Sequence, residues 1–464
     1  MNVTRKFLLA LLLTGSVCTF SSCDDDDDDN GPVIDQPQGQ EIVVTESAAG
    51  TGTVTWTANN TYILDGFVFV NDGQTLTIEP GTVIKAKPGT GENASALIVA
   101  RGGKIMAQGT AEKPIIFTAL EDDVTRIDDM PLDATGKWGG VILLGKATIN
   151  KAGGEGAIEG IPTEEKRGVY GGTNDADNSG VFKYVSIRHA GTVIGANNEI
   201  NGLTMGGVGS GTTIEYVEVY SNQDDGFEWF GGTVNTKYLV SAFNDDDQFD
   251  YDQGWRGNNQ FWFGIYRENA GGTGGEFDGG SKPDDAVPFS IPTISNATII
   301  GGKTLASQNA VMLVDNAGGK IYNSIFADFA GGIVVEDLAD ASVGDSRQRL
   351  EAGDLLFKNN IFTNVNNNTF EGITSVEPNQ GYLLEHLKAS ANNNTVTPDP
   401  VLAGISRQNN KALNPLPATG SIALTGGAVP SNGGFFKSVD YIGAFGTDNW
   451  MKGWTYIDQL GYLK

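Results

Sequence analysis

One stretch of the chain says the same thing twice. Shifted by 22 residues, Tyr216-Val217 falls on Tyr238-Leu239, Asn222 on Asn244 and Asp224-Asp225 on Asp246-Asp247. The same shift carries Phe227 to Phe249, Glu228 to Asp250, Trp229 to Tyr251 and Gly232 to Gly254. A strand-rich unit of this length, punctuated by Gly and Asn, cannot bury its apolar face alone. Copies must stack, and the core then grows in one dimension. A shift of 22 also sets Leu76 on Ile98, Gly81 on Gly103, Val83 on Ile105 and Ile84 on Met106. That second periodic region extends the solenoid over the whole folded body. The expected fold is all-β: a single right-handed parallel β-helix with loop insertions and a C-terminal cap. A spacing of about 22 to 30 residues, insertions included, gives roughly 11 to 14 coils.

Composition narrows the chemistry. The 64 glycines fall in Gly-Gly and Asn-Gly turns with no collagen-like period, as frequent turns between short strands require. With 30 basic and 57 acidic residues the net charge is -27, which excludes nucleic acid as a ligand. That balance suits cations, cationic ligands or simply a soluble surface. Cys18 and Cys23 are the only cysteines and His189 and His386 the only histidines. A Cys/His zinc site is therefore excluded, and any metal must be held by oxygens, which points to calcium.

The N-terminus reads as an export signal. Arg5-Lys6 precedes the apolar run Phe7 to Leu13, too short for a stable membrane span. Phe20-Ser21-Ser22-Cys23 resembles a lipobox, so residues 1–22 are expected to be removed and Cys23 acylated. Asp24 to Asp29 follow, an unbroken acidic run that repels itself and cannot fold. Residues 23–41 are thus a lipidated acidic tether, and residues 42–464 the β-helix domain, with an aromatic cap from about 430 to 464.

Short strands mark the coils: Gln74 to Ile84 around a Pro-Gly turn, Pro114 to Thr118, Trp138 to Leu144, Phe182 to Ile187, Ile294 to Ile300, Ile321 to Phe326 and Phe357 to Phe362. Asn recurs beside them, where side-chain amides can satisfy corner backbone groups. Gly153 to Gly180, Gly271 to Asp285 and Asp337 to Asp354 read as insertions, and Tyr382 to Leu387 as a short amphipathic helix carrying His386. On these residues the chain resembles the pectate-lyase-like right-handed parallel β-helix superfamily over roughly 42–464. With its acidic tether it is similar to surface β-helix lipoproteins of Bacteroidota. The resemblance implies an outer-membrane lipoprotein, lipid-anchored and facing the medium, that serves an uptake system such as a TonB-dependent transporter. A tether that leaves the body facing the periplasm stays open.

If the coils stack in register, so do the acids. Strands lie about 4.8 Å apart, which sets Asp224 beside Asp246, Asp225 beside Asp247 and Glu228 beside Asp250. Calcium takes about 6 to 8 oxygens, and Asp224, Asp246, Asp247 and Asp250 are the expected ligands; plain solvated acids or corner hydrogen bonds are the alternative. By alternation Phe227, Trp229, Phe249 and Tyr251 point inward, and Glu228, Asp250, Phe230 and Asp252 outward. Trp229, Phe230, Tyr251 and Trp255 crowd the ladder, and an outward Phe230 or Trp255 would suit a sugar ring or a cation. Parity leaves Asp225 and Asp247 undecided.

Two functions compete. The resemblance to β-helix lyases implies calcium held by acids with Arg256, or less well Arg188, as base. Asn222 to Asp225 and Asn244 to Asp247 are similar to the paired acids of polygalacturonases, which would give Asp225, Asp247 and Asp250 acid–base roles. The Gly-His-Gly element of that family is missing, and His189 sits in Arg188-His-Ala-Gly191 instead. A binding protein needs only the acidic strip and the insertions. The expectation is a surface lipoprotein that binds an extracellular ligand such as a glycan, with a calcium-assisted lyase or hydrolase, or a passive adhesion protein, as alternatives.

Overall fold

The computed structural model describes residues 39–464 apart from 128, 196–197, 281–282, 341 and 431–433. The export signal, Cys23 and most of the tether lie outside the described residues. None of the described helices is long and apolar enough to cross a membrane.

Val, Ile and aromatic residues in alternation make short strands that are stable only when paired, and here they pair coil upon coil. A narrow sheet stacks nine strands in chain order: Phe67–Val70, Ala96–Val99, Val141–Leu144, Leu203–Gly206, Phe227–Phe230, Phe249–Asp252, Glu276–Asp278, Val311–Val314 and Ile333–Val335. A broad sheet of eighteen strands climbs beside it, from Glu41–Thr45 to Thr395–Thr397. Neighbouring coils pair in parallel throughout both. The molecule is a parallel β-helix.

The 22-residue register holds where it was clearest. Phe227 pairs with Phe249, Glu228 with Asp250 and Trp229 with Tyr251, while Val217 pairs with Leu239. It fails between Leu76 and Ile98. Leu76 pairs with Ile105 and Val83 with Ile116, because that coil carries a short helical turn at Gly91–Asn93 that lengthens it. The same strands do obey the shift in the other direction, Val54 pairing with Leu76 and Thr61 with Val83. Gly271 to Asp285 is not purely an insertion either, since it contains the strand Glu276–Asp278.

The broad sheet turns a corner at a column of residues with left-handed backbone: Tyr184, Tyr216, Tyr238 and Phe261, then Asn296, Asn323, Asn359 and Asn393. Asn adopts this conformation at small cost, whereas an aromatic residue does so only when packing compensates. Here the rings stack, with centroids 4.4 Å apart for Tyr184 and Tyr216 and 4.3 Å for Tyr216 and Tyr238. The asparagines form the expected ladder: Asn393 Nδ2 donates to Asn359 Oδ1, and Asn359 Nδ2 to Asn323 Oδ1, both at 2.7 Å.

Inside, Phe227, Trp229, Phe249, Tyr251 and Trp262 form a continuous aromatic core. Its last coil is closed by the helix Gly381–Lys388, which buries Leu383 and Leu387 and lets His386 Nε2 accept from the Phe357 amide at 3.1 Å. The aromatic C-terminal segment does cover apolar surface, as expected, but along a flank and not at that end. It runs back over Tyr220, Val240, Phe263, Ile300 and Ile325, sealing them with Phe445, Trp454, Tyr456 and Tyr462. Glu218 pins it, accepting from the amides of Tyr456 at 2.7 Å and Ile457 at 3.0 Å.

Candidate functional site

The outer face of the narrow sheet carries the acids. Strand pairing stacks Glu228, Asp250 and Glu276 in one row; one pleat further on, Phe230, Asp252 and Asp278 form the next. Glu276-Phe277-Asp278 repeats the acid–aromatic–acid pattern of Asp250-Tyr251-Asp252, and Phe277 stacks on Tyr251 at 4.2 Å. The expected ladder is therefore one coil longer than the repeat suggested.

The corner ahead of these strands resolves the two undecided aspartates. Both are buried. Asp225 Oδ1 accepts from the Asp247 amide at 2.9 Å, and Asp247 Oδ1 accepts from the Thr273 amide of the following coil. Asp247 also shares a hydrogen bond with Glu276. Asn222 and Asn244 serve the corner as well: the Asn222 amide donates to Asn244 Oδ1 at 2.9 Å, and Asn222 Nδ2 to the Asp225 carbonyl at 2.8 Å.

An insertion roofs one end of the trench. Tyr170 donates to Gln253 Oε1 at 2.5 Å and lies over Phe230, its ring centroid 6.1 Å away. Ile149, Ile158, Ile161 and Ile200 complete this second apolar layer. Asn201, buried beneath it, donates through Nδ2 to Glu228 Oε2 and to Glu159 Oε1.

Oxygens of Asp224, Asp225 and Asp246 lie within 4.8 Å of one another, and so do those of Asp225, Glu228 and Asp250. The four acids expected to hold a metal are thus divided. Asp224 and Asp246 join one group and Asp250 the other, Asp225 links the two, and Asp247 is spent on Thr273 and Glu276. Glu228 belongs to the site and was missing from the expected ligand set.

Burial pushes all of these carboxyls upward, and like-charged neighbours push them further. Glu228 is held well above the usual carboxylate range by burial, then by Glu159, Asp250, Asp225 and Asp224. Asp250 is raised by burial and then by Asp278, Asp247, Glu276 and Asp252. Asp224 is pushed up to about 7 and Asp278 to about 8, in both cases mainly by burial. Among the described residues no lysine or arginine forms an ion pair with Asp224, Asp225, Glu228, Asp246, Asp247 or Asp250. Two like charges about 5 Å apart repel by about 3 kcal/mol at an effective dielectric near 20. The cluster therefore holds protons or a cation.

Both leave a mark: the Asp247–Glu276 and Glu159–Glu228 hydrogen bonds each need a proton between two carboxyls, and an unpartnered oxygen suits a cation. Asp250 Oδ1 is a buried oxygen with no hydrogen-bond partner, and Asp250 belongs to the Glu228 group, whereas Asn201 turns its amide nitrogen toward Glu228. A hard divalent cation takes carboxylate oxygens of this kind.

The expected aromatic platform is not there. Trp229, Tyr251 and Trp255 are each 0% exposed and lie in the core, with Trp255 stacked on Trp229 at 4.4 Å. Phe230 does point outward, as parity requires, but the insertion leaves it 7% exposed. Nor do the arginines reach the acids. Arg256 gives NH1 to the Gly254 carbonyl at 2.6 Å and NH2 to Asp175 at 3.2 Å. Arg188 is wholly buried over the Tyr456 ring and bonded to Ser186 and Gln459.

Stacked parallel coils, a long acidic face and residues 48–455 matching the description "Pectate-lyase like beta helix domain" come together here. The chain belongs to that β-helix domain family. No curated protein matches it. No solved structure matches it either. Membership of the pectate-lyase-like β-helix domain family accounts for the fold and leaves the chemistry to the trench itself.

Proposed function

We propose that this β-helix is a binding protein that holds a divalent cation, calcium, in the acidic trench and takes an extracellular ligand there. Asp225, Glu228 and Asp250 supply the carboxylates, with Asp224 and Asp246 at the adjoining corner. The observation that carries this is the meeting of three carboxylates within 4.8 Å, with Asp250 Oδ1 buried and unpartnered and no ion pair to a basic residue among the described residues. A calcium ion would cancel the repulsion that burial concentrates there. Binding is favoured over lyase action because Arg256 and Arg188 are both engaged elsewhere, and over hydrolase action because Asp225 and Asp247 accept backbone amides at the corner.

In this reading the ligand is a glycan or a molecule handed to an outer-membrane uptake system such as a TonB-dependent transporter. Cys23 would carry the lipid anchor that keeps the body at the outer membrane, facing the medium. Calorimetric titration of the purified chain with calcium chloride tests the core of the proposal. Binding heat and a raised melting temperature are expected, both lost in Asp225→Asn with Glu228→Gln and Asp250→Asn. Absence of heat with the natural sequence would overturn it. Incubation with a polysaccharide panel tests the choice of binding over catalysis: retention without products is expected, and new unsaturated ends would establish a lyase. Cys23→Ala should release the protein from the membrane fraction; continued membrane association would sink the anchor.

A further inference from the structure

Basic residues are scarce, 30 against 57 acids, yet four of them line one cavity. Arg101, Lys146, Lys166 and Arg167 surround a space of about 560 Å³ in which Asp72 is the only acid. It lies past the C-terminal ends of the strands Phe67–Val70, Ala96–Val99 and Val141–Leu144, and the insertion that roofs the trench forms its far wall through Gly171 to Asn174. The volume suits a ligand of sugar size.

The four cations are not equivalent. Both arginines are fixed. Arg101 NH1 bonds Glu155 at 2.5 Å and the Gly171 carbonyl at 2.8 Å. Arg167 forks onto Glu165 through Nε at 2.9 Å and NH2 at 2.6 Å, with its guanidinium 3.8 Å from the centre of the Phe69 ring. They build the wall. The lysines are free to respond. Lys166 Nζ bonds the Thr163 carbonyl at 3.1 Å, and Lys146 Nζ stands 3.5 Å from Asp72, whose side chain is 75% exposed. An exposed pair of that kind stabilises by less than about 1 kcal/mol, so an incoming anion displaces Asp72 at little cost.

Which anion follows from the donors. A planar carboxylate is best met by an arginine fork; that of Arg167 is spent on Glu165, and Arg101 is held through NH1 by Glu155 and Gly171. Two separate ammonium groups suit a tetrahedral oxyanion, which offers oxygens in several directions. Nucleic acid needs an extended basic face, which a chain of net charge -27 does not supply at one pocket.

We propose that this pocket binds a sulfate or phosphate ester carried on a sugar-sized ligand, with Lys146 and Lys166 as its recognition residues. The inference names the ligand class within the binding function proposed above and rests on that reading. It uses a different site, however, so the two fail separately.

Calorimetry in EDTA, with the trench stripped of divalent ions, tests it on the full chain with galactose 6-sulfate, galactose 6-phosphate, galacturonate, galactose and inorganic sulfate. Binding of one or both esters is expected, weakening as salt rises, with galacturonate and galactose at least tenfold weaker. Which ester binds better identifies the source. Lys146→Glu with Lys166→Glu should cost tenfold or more in ester affinity while leaving the melting temperature and circular dichroism spectrum unchanged, which verifies folding. Three results would overturn the proposal: unaltered ester binding in that variant, equal binding of galacturonate, or inorganic sulfate binding as tightly as the esters, which would mean an adventitious ion only. Ester binding without calcium binding would remove the trench reading and leave this one standing.

Discussion

Glu218 and Glu228 stand in one coil, each buried, each on the outer face of a sheet, each with its carboxyl pushed upward by burial. Their surroundings are opposite. Glu218 accepts from Ser186 and from two backbone amides of the C-terminal segment, and faces Arg188. Each of these neighbours offsets its desolvation. Glu228 receives an amide hydrogen from Asn201, shares a hydrogen bond with Glu159 and faces Asp250, Asp225 and Asp224. There the neighbours add to the desolvation. Burial alone therefore does not mark a functional acid; burial with uncompensated like charge does. The first glutamate is a fastening; the second belongs to the cluster proposed above to hold a cation.

The largest test of that contrast is to break the fastening. Glu218→Ala leaves Arg188 buried without its acid and detaches the C-terminal segment, for an expected loss of about 3–5 kcal/mol, read by denaturant unfolding. Calcium should not restore it. Next comes the site: calcium at about a hundred times its dissociation constant is expected to add about 2.7 kcal/mol to the stability of the natural sequence, and nothing to the triple trench variant. Glu228→Gln alone should stabilise the metal-free protein by about 1–3 kcal/mol at high pH, the reverse of Glu218→Ala, since it removes a repulsion.

The pH dependence follows from the direction of the shifts. A carboxyl raised in the folded state binds its proton more tightly there than in the unfolded chain. Its stabilising contribution is complete below the unfolded value and lost as pH climbs through the folded one. Asp224 at about 7 and Asp278 at about 8 set the window. Metal-free protein should therefore melt progressively lower from weakly acid to weakly alkaline pH, and calcium should flatten that slope. A flat profile without calcium would mean that the acids are better solvated than their burial implies. The smallest effect belongs to Arg256→Ala, whose partly exposed pair with Asp175 stabilises by less than about 1 kcal/mol; unchanged calcium binding in that variant is expected, from calorimetry.

Much of this was legible from residue order. A shift of 22 predicted that Phe227, Trp229, Phe249 and Tyr251 would share an interior face and that Glu228 would meet Asp250, because parallel stacking converts a sequence period into a spatial neighbour. The method stops where a coil changes length. Asp250 to Glu276 spans a longer coil, so the shift missed the third rung, although the acid–aromatic–acid repeat around Phe277 was there to be seen. Leu76 was assigned the wrong partner for the same reason. What parity cannot say is whether an outward residue meets water. Phe230 points outward and is covered, because Tyr170 reaches it from an insertion sixty positions earlier. Trp255, beyond the strand, had no parity to read and turned inward. Long-range covers of this kind leave no period in the sequence, since each contact is made once.

The flank seal has a consequence for how the protein comes into being. Tyr456 reaches back 238 positions to Glu218, so coils laid down early keep an oily strip of Val240, Phe263, Ile265, Ile300 and Ile325 uncovered until nearly the whole polypeptide has been delivered. A chain truncated before Tyr441 would keep its staircase of strands and leave that strip bare to other copies. Its expected fate is clumping or proteolysis, brought about by missing residues that touch neither the trench nor the lysine pocket.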